Sequence, residues 1–189
     1  MKTYTPNELK ATLDAHYKWL KGEEGGARAD LSNANLSSAN LRSANLRSAN
    51  LSSANLRSAN LSLANLSSAD LSVIKHDMWA VLAHAPLEVP ELIAALDEGR
   101  VNGSTYSDGQ CGCLVGTLAI AAGADPAVDN SCVVVHDLDG DSSRPIESFF
   151  MAIKKGDTPE TNQASKLARD WAQEWLERMT RAFKERSHA

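Results

Sequence analysis

Leucine recurs at every fifth position between residues 31 and 71, in nine consecutive units of five residues. Alanine stands two residues before each leucine, and Asn or Asp separates them. A step of five fits neither standard period, because successive leucines would rotate by about 140° around a helix and would alternate between the two faces of one strand. All leucines can face one way only if the chain turns about once in each unit. Four turns close a coil of about twenty residues, so the pattern predicts about 2.25 stacked coils.

The A-(D/N)-L-x-x pattern of residues 29–73 resembles the pentapeptide-repeat proteins, a family that phages and prophages also encode. The resemblance implies a β-solenoid, here a short right-handed quadrilateral parallel β-helix with Ala and Leu inside. The structural core of this segment is then made by nine residues: Leu31, Leu36, Leu41, Leu46, Leu51, Leu56, Leu61, Leu66 and Leu71. Because the units are nearly identical, a slip of five residues would still match Ala to Ala and Leu to Leu. We therefore expect the flanking segments to set the register.

The segment before the repeat, residues 1–28, is predicted to be an N-terminal capping helix and a lead-in. A capping box at residues 5–8 (TPNE), with proline at the first helical position, opens the helix predicted over 6–21. One face of this helix carries Leu9, Leu13, His16, Tyr17 and Leu20. We interpret His16 and Trp19 as packing groups rather than ligands, and we expect the helix to lie over the first coil.

Residues 74–189 are predicted to form a mostly α-helical C-terminal domain. Helical patterns cover 77–84, 90–98, 111–122, 146–155 and 160–186, and three consecutive valines predict a short strand at 131–136. The helix over 111–122 is apolar nearly all round, so we expect it to be buried. The last helix carries one apolar stripe, formed by Leu167, Ala168, Trp171, Trp175, Met179, Ala182 and Phe183. About 115 residues are enough for a hydrophobic core of their own.

Charge and composition narrow the function classes. The chain has 19 basic and 24 acidic residues, a formal charge of −5, and the excess of acid lies after residue 73. A general nucleic-acid binder normally carries a basic surplus, so we expect no direct nucleic-acid binding. No apolar run approaches the roughly 20 residues that span a bilayer, and the first ten residues lack the apolar core of a signal peptide. Three cysteines cannot form a complete disulfide framework, so we expect a cytoplasmic protein.

The best candidate for site chemistry is a group of three thiols and an imidazole, Cys111, Cys113, Cys132 and His136, which could hold zinc. In a strand, however, Cys132 and His136 would lie about 13 Å apart, too far to share one metal ion. Gln110–Cys113 resembles in part the start of the papain-like nucleophile motif, but Leu114 replaces its aromatic residue. We therefore assign no catalytic residue, no metal ligand and no cofactor, and we keep Cys111 and Cys113 as a rival enzyme or metal site.

A second candidate site is the acidic segment 136–141 (HDLDGD), which resembles the beginning of a calcium-binding loop. An EF-hand needs Gly at its sixth position and Glu at its twelfth, and this chain has Ser142 and Ser148 there. We interpret the segment as a polar turn.

The outward positions of the repeat show neither a basic nor an acidic row. Positions twenty apart share a face, so Arg42, Arg47 and Arg57 fall on three different faces, and Asp30 and Asp70 are the only acidic residues. Some members of the family inhibit or protect DNA gyrase as long acidic rods that mimic DNA. The short and nearly neutral repeat of this chain gives no reason to carry that function over.

Four apolar side chains are candidates for a docking or partner surface. Leu63 and Val73 stand at outward positions late in the repeat, and we expect the C-terminal domain to dock on them. Trp171 and Trp175 are interpreted as core residues, with an aromatic anchor for a partner as the alternative.

These observations favour a non-enzymatic protein–protein interaction or scaffold protein with an unidentified protein partner. The resemblance adds a phage accessory or host-directed inhibitor role and an option of homodimers through the C-terminal region. One alternative is an acidic nucleic-acid mimic acting on a DNA-binding protein such as gyrase, which would need Asp137, Asp139 and Asp141 in rows. The other is a cysteine-dependent enzyme or metal-binding protein at Cys111 and Cys113. We expect no membrane partner.

Overall fold

The computed structural model describes most of the chain: residues 1–56, 59–61, 63–103, 114–123, 134–135, 138–139 and 144–186. The elements before the helical region are β1 (Lys2–Thr3), α1 (Pro6–Lys21) and β2 (Ala34–Asn35). They are followed by α2 (Ser72–Leu82), α3 (Val89–Asp97), α4 (Leu114–Ala121), β3 (Val134–Val135), β4 (Leu138–Asp139), α5 (Pro145–Phe150) and α6 (Gln163–Arg186). The coarse prediction, β structure in the repeat and helices after it, is confirmed.

Helix α1 has the predicted bounds and the predicted caps. The main-chain N–H of Thr5 donates to the Glu8 carboxylate at 2.8 Å, the Thr5 hydroxyl oxygen accepts from the Glu8 N–H, and Gly22 ends the helix at φ 69°. The prediction that Tyr17 lies on the packed face is wrong, because its side chain is 49% exposed. His16 occupies the buried position next to it, and the Tyr17 ring lies instead beneath the Lys21 ammonium group.

Parallel bridges join residues that are twenty positions apart in the repeat. The bridged pairs are Asp30–Asn50, Asn35–Asn55, Asn40–Asn60, Asn45–Asn65 and Asn50–Asp70. In the first pair, Asn50 donates its N–H to Ala29 O at 3.0 Å and accepts from the Leu31 N–H at 2.8 Å. The chain therefore lies beside itself after every four repeats, and the nine leucines are all buried.

The same turn closes each repeat. From Ala34 to Ala69, every repeat alanine donates its N–H to the carbonyl oxygen of the leucine three residues before it. The residue just before the alanine has φ between 53° and 61° in each described repeat: Asn33, Ser38, Ser43, Ser48, Ser53, Leu63 and Ser68. The side-chain oxygen of the central Asn or Asp accepts from the N–H two residues later, as in the bond from Ser32 to Asp30 at 3.1 Å. These bonds produce the turn that the spacing of five predicts.

The predicted docking on Leu63 and Val73 is not observed. Leu63 is 60% exposed, because the outward turn position points its side chain away from the repeat core. Val73 is also exposed, and it lies inside α2 rather than in the repeat. Helix α2 begins five residues earlier than predicted, since the Lys75 N–H bonds to Leu71 O at 3.0 Å and Ile74 is fully buried against the core.

Within the described ranges, five helices follow the repeat, as predicted, but several differ from the prediction in length. Helix α3 lies within one residue of the prediction, and α4 falls inside 111–122. Helix α5 ends at Phe150, five residues early, because the following chain bonds back to an earlier loop: Gly103 donates to Ile153 O and Gly156 donates to Gly99 O, both at 2.8 Å. The predicted strand at 131–136 is seen at Val134–Val135, paired antiparallel with β4.

One hydrophobic cluster contains the buried residues of α1, the repeat and the helical region, from Leu9 to Trp175. Trp171 and Trp175 are 7% and 5% exposed, so neither indole is available as an anchor for a partner. The α helices of the described ranges include none long and apolar enough to cross a membrane.

Replacing Leu63 with asparagine is expected to raise the free energy of unfolding by about 0.5–1 kcal/mol, because leucine pays a steric cost in the left-handed region that asparagine tolerates better. The free energy of unfolding is measured by urea titration, with circular dichroism as the signal. Ser68 occupies the same turn position at φ 56°, so Ser68→Leu should lower stability by a similar amount. A destabilised Leu63→Asn variant would show instead that the leucine side chain contributes favourable contacts.

Candidate functional site

The predicted thiol site falls on residues outside the described ranges. Cys111, Cys113, Cys132 and His136 all lie there, as do Asp137 and Asp141, and Asp139 is described only in its main chain. Within the described ranges, no three His, Cys, Asp or Glu side chains are grouped as a metal site would need. The thiol and acidic-row hypotheses therefore stay predictions.

Hydroxyl and amide groups dominate the outer faces of the repeat. Amides form ladders along these faces: Asn50 Nδ2 donates to Asp30 Oδ1 at 3.0 Å, and Asn55 Nδ2 donates to Asn35 Oδ1 at 3.4 Å. Hydrogen bonds from the Ser72 hydroxyl and N–H lower the pKa of Asp70, so this carboxylate is charged at neutral pH. Arg57 lies outside the described ranges. The described outer faces of the repeat therefore carry regularly spaced polar groups and little net charge.

His16 joins α1 to both ends of the first four repeats. Its Nδ1 accepts from the Ala29 N–H at 3.1 Å, and its Nε2 lies 3.1 Å from the Arg47 carbonyl oxygen. A carbonyl only accepts, so Nε2 carries the proton and the ring is the neutral tautomer. The ring is fully buried and stacks on Trp19 with centroids 5.5 Å apart. The interpretation of His16 as a packing group missed these two hydrogen bonds, for which the sequence gives no separate signal.

Burial of the His16 ring lowers its pKa from the usual 6.5, and the nearby Arg28 charge acts in the same direction. The hydrogen bond to Arg47 O acts in the opposite direction, because a carbonyl stabilises the protonated ring. Protonation would place a second N–H against the Ala29 donor and break that bond. The site is thus a structural joint that requires a neutral imidazole.

A cluster of charged and aromatic side chains connects α2 to α6. Trp79 donates its indole N–H to Trp171 O at 3.1 Å. The Lys75 ammonium and the Arg178 guanidinium each lie 4.8 Å from the Trp79 ring. Lys75 also bonds to Glu174 at 2.6 Å, and this bond lowers the pKa of that carboxyl group. The cluster fixes the middle of α6 against α2.

Beyond this cluster the distal part of α6, residues 177–185, is exposed. The predicted apolar stripe is buried at Ala168, Trp171 and Trp175, but Met179 is 38% and Phe183 is 69% exposed. A groove of about 390 Å³ runs between Trp79 and the distal residues Met179 and Ala182. The stripe that packs against the core therefore continues into solvent for about two helical turns.

Two carboxylates, one buried and one half-buried, accept hydrogen bonds from the N-terminal N–H groups of another helix. The Glu147 carboxylate, fully buried, accepts from the Leu114 N–H at 2.9 Å and from the Val115 N–H at 3.2 Å. Asp77 accepts from the Ile146 N–H at 3.0 Å. Both act as helix N-terminal caps supplied from another helix. Sequence reasoning did not find them, although an acidic residue inside the apolar run 145–150 was a signal for Glu147.

Comparison with known families identifies the repeat. The family model described as Pentapeptide repeats (8 copies) matches residues 27–62 and 44–72. Together the matches span 27–72, which is 46 of the 189 residues. This part of the chain consists of pentapeptide repeats, as the leucine spacing indicates. No curated protein and no solved structure matches the chain significantly.

Replacing His16 with glutamine is expected to flatten the dependence of stability on pH. Because the folded pKa is lowered from 6.5, the contribution of the neutral ring is fully present above pH 6.5 and is lost as the pH falls through the lowered value. The loss includes a buried hydrogen bond worth about 1–3 kcal/mol. Urea unfolding at several pH values between about 7.5 and 5 measures it.

His84→Gln is the matched control, because it makes the same substitution at an exposed imidazole. Asp70 and Glu174 have pKa values lowered from 3.8 and 4.5, so they titrate below this range. An identical slope in the wild type and in His16→Gln would contradict the role of the ring.

Proposed function

We propose that this chain is a non-enzymatic protein–protein interaction or scaffold protein. Its repeat is a right-handed, four-sided β-helix that serves as a rigid platform, and the helical region carries the surface for association. The family to which the repeat is assigned is generally non-catalytic and protein-binding. A phage accessory or host-directed role and a cytoplasmic location stay predictions.

Rigidity of the platform is supported by three sets of contacts. Main-chain bonds connect each coil to the next, amide ladders run along the outer faces, and one hydrophobic cluster joins the repeat to both flanks. A surface held in this way changes little on binding, which reduces the entropy lost in association. A rigid platform of this kind is suited to presenting a fixed binding surface to a partner, and less suited to a function that requires a change of conformation.

The observation that carries the proposal is the exposed distal part of α6, residues 177–185. Met179 and Phe183 extend the core stripe into solvent, where an apolar helix face is typically covered by a partner. Arg178, which also bonds to Glu174 at 2.9 Å, and Glu185 stand seven residues apart on one flank of this stripe, so opposite charges face each other when a second copy packs antiparallel. We therefore assign the distal part of α6 to self-association into a homodimer.

The acidic-mimic alternative receives no support from the described carboxylates. Those around α3 are interspersed with cations: Arg100 bonds to both Glu91 and Glu98, at 2.8 and 2.6 Å, and Arg169 bonds to Asp97 at 3.2 Å. A row of free negative charge is what a mimic of the DNA backbone needs. We therefore prefer the interaction function without a nucleic-acid-like surface.

Purified protein is expected to contain no stoichiometric zinc and no thiol of unusual reactivity. The proposal gives Cys111, Cys113 and Cys132 no ligand role, so elemental analysis should find much less than one metal ion per chain. Thiol labelling of the native protein should show no cysteine that reacts faster than a thiol in the unfolded chain. One bound zinc per chain, or one fast thiol, would favour the rival metal or cysteine-enzyme site.

Replacing Met179 with glutamate is expected to weaken self-association by at least about ten-fold, since it places a charge in the centre of the apolar contact. Sedimentation velocity of the full chain over a range of concentrations measures the change. Thr180→Glu is the matched control, because it adds the same charge one residue away, outside the stripe. A wild-type chain that stays monomeric, or equal effects of the two variants, would contradict this interface.

A further inference from the structure

The N-terminal end of the repeat is covered on only part of its circumference. Strand β1 pairs in parallel with β2, with Lys2 opposite Ala34 and Thr3 opposite Asn35. The inward alanine on this side, Ala34, is fully buried, whereas Ala39 on the next side of the first coil is only partly buried. The next side is therefore an open part of the end.

The open side presents main-chain groups that are ready to pair. Asn60 donates its N–H to Ala39 O at 2.9 Å and accepts from the Leu41 N–H at 3.0 Å. Asn40, between Ala39 and Leu41, therefore directs its own N–H and C=O away from the second coil, toward the N-terminal end. Asn35 uses the equivalent groups to pair with β1. Among the described residues, no donor or acceptor bonds to the main chain of Asn40, which is exposed.

A groove of about 560 Å³ lies beside this edge, between α1 and the first coil. Its apolar lining comes from both sides: Tyr4, Leu9 and Leu13 from the N-terminal segment, and Leu36 and Ala39 from the repeat. Asn40 and Lys10 lie at its polar boundary. An open strand edge next to an apolar groove is the arrangement used for binding extended peptides by strand addition.

We propose that this edge binds an extended segment of a partner protein as an added parallel strand. The central residue of the segment pairs with Asn40, and its two neighbours enter the groove over Ala39 and Leu41. Strand β1 shows that this end of the repeat accepts an extended segment in parallel register. The site is at the opposite end of the repeat from α2 and does not rest on association through α6.

The ladders of the repeat define the chemistry of the segment. In both described ladders, an Asn amide donates to the Asp or Asn oxygen one coil before it. The residue that pairs with Asn40 must therefore accept a hydrogen bond, as Asp and Asn do. Pairing of residues twenty apart places Ala beside Ala and Leu beside Leu in successive coils. An added strand in the same register therefore places a small residue over Ala39 and a leucine over Leu41. The partner carries a small–Asp–Leu or small–Asn–Leu sequence in an extended, accessible segment.

The probe is an end-blocked, fluorescent peptide with the sequence of residues 64–73, which contains Ala69–Asp70–Leu71. We expect saturable binding to the full chain, seen by anisotropy, and slower amide exchange of Asn40 in the complex. Replacing Asn40 with proline removes the N–H donor and should weaken binding by at least about ten-fold. A peptide of scrambled sequence should bind no better than that variant.

Two further proline variants separate this site from a general loss of structure. Asn45 occupies the other open side of the first coil but does not line the groove, so Asn45→Pro should bind the peptide within about two-fold of the wild type. Asn60→Pro breaks the bond to Ala39 O and should lower stability more than Asn40→Pro, which breaks no main-chain bond and removes only the side-chain acceptor of the Arg42 N–H.

Equal binding of the peptide to the wild type and to Asn40→Pro would overturn the proposal, as would equal binding of the scrambled sequence or no saturable binding. Self-association that Asn40→Pro abolishes, in the absence of peptide, would identify a second copy as the occupant and overturn the partner segment. The Met179→Glu chain should bind the peptide like the wild type, so failure at α6 and failure at this edge are distinguishable.

Discussion

The structure depends on a one-directional pattern of main-chain hydrogen bonds. In each bridge the central Asn or Asp directs its N–H and C=O to the preceding coil, as Asn50 does to Ala29 and Leu31. This polarity requires every repeat to turn in the same way, which places each leucine inside and each hydroxyl or amide outside. It also makes the two ends of the repeat chemically different, because only the N-terminal end displays the groups of the central residues.

The flanking segments resolve a problem that the repeat cannot resolve alone. Nearly identical units could slip by five residues, but the N-terminal segment bonds to particular positions: Lys2 donates to Asn33 O, Tyr4 donates to Asp30 O, and His16 joins Ala29 to Arg47. At the other end the core continues without a break into α2. The register is therefore fixed from outside the repeat, by contacts of which those of His16 need a neutral imidazole.

The sequence was informative wherever local period and burial decide the structure. The leucine spacing predicts the turns and the twenty-residue return, and the capping box predicts the bounds of α1. Sequence-based prediction failed where burial depends on which surface a distant segment covers, as for Leu63 and Tyr17. It also failed to find the point where the apolar stripe of α6 leaves the core. The cap that Glu147 gives to α4 crosses 32 residues, so no local pattern contains it. The thiol hypothesis stays a prediction because its residues are not described.

The twenty-residue return has a consequence for how such a chain can change in length. Four repeats make one circuit, so inserting or deleting four of them lengthens or shortens the stack and leaves α1 and α2 in the same orientation about its axis. On the proposed four-sided β-helix, loss of a single repeat instead moves the exit point to an adjacent side of the stack and swings the whole helical region around by about a quarter of a circle. Viable length variants should therefore differ by full circuits wherever both ends of the molecule must face a common assembly.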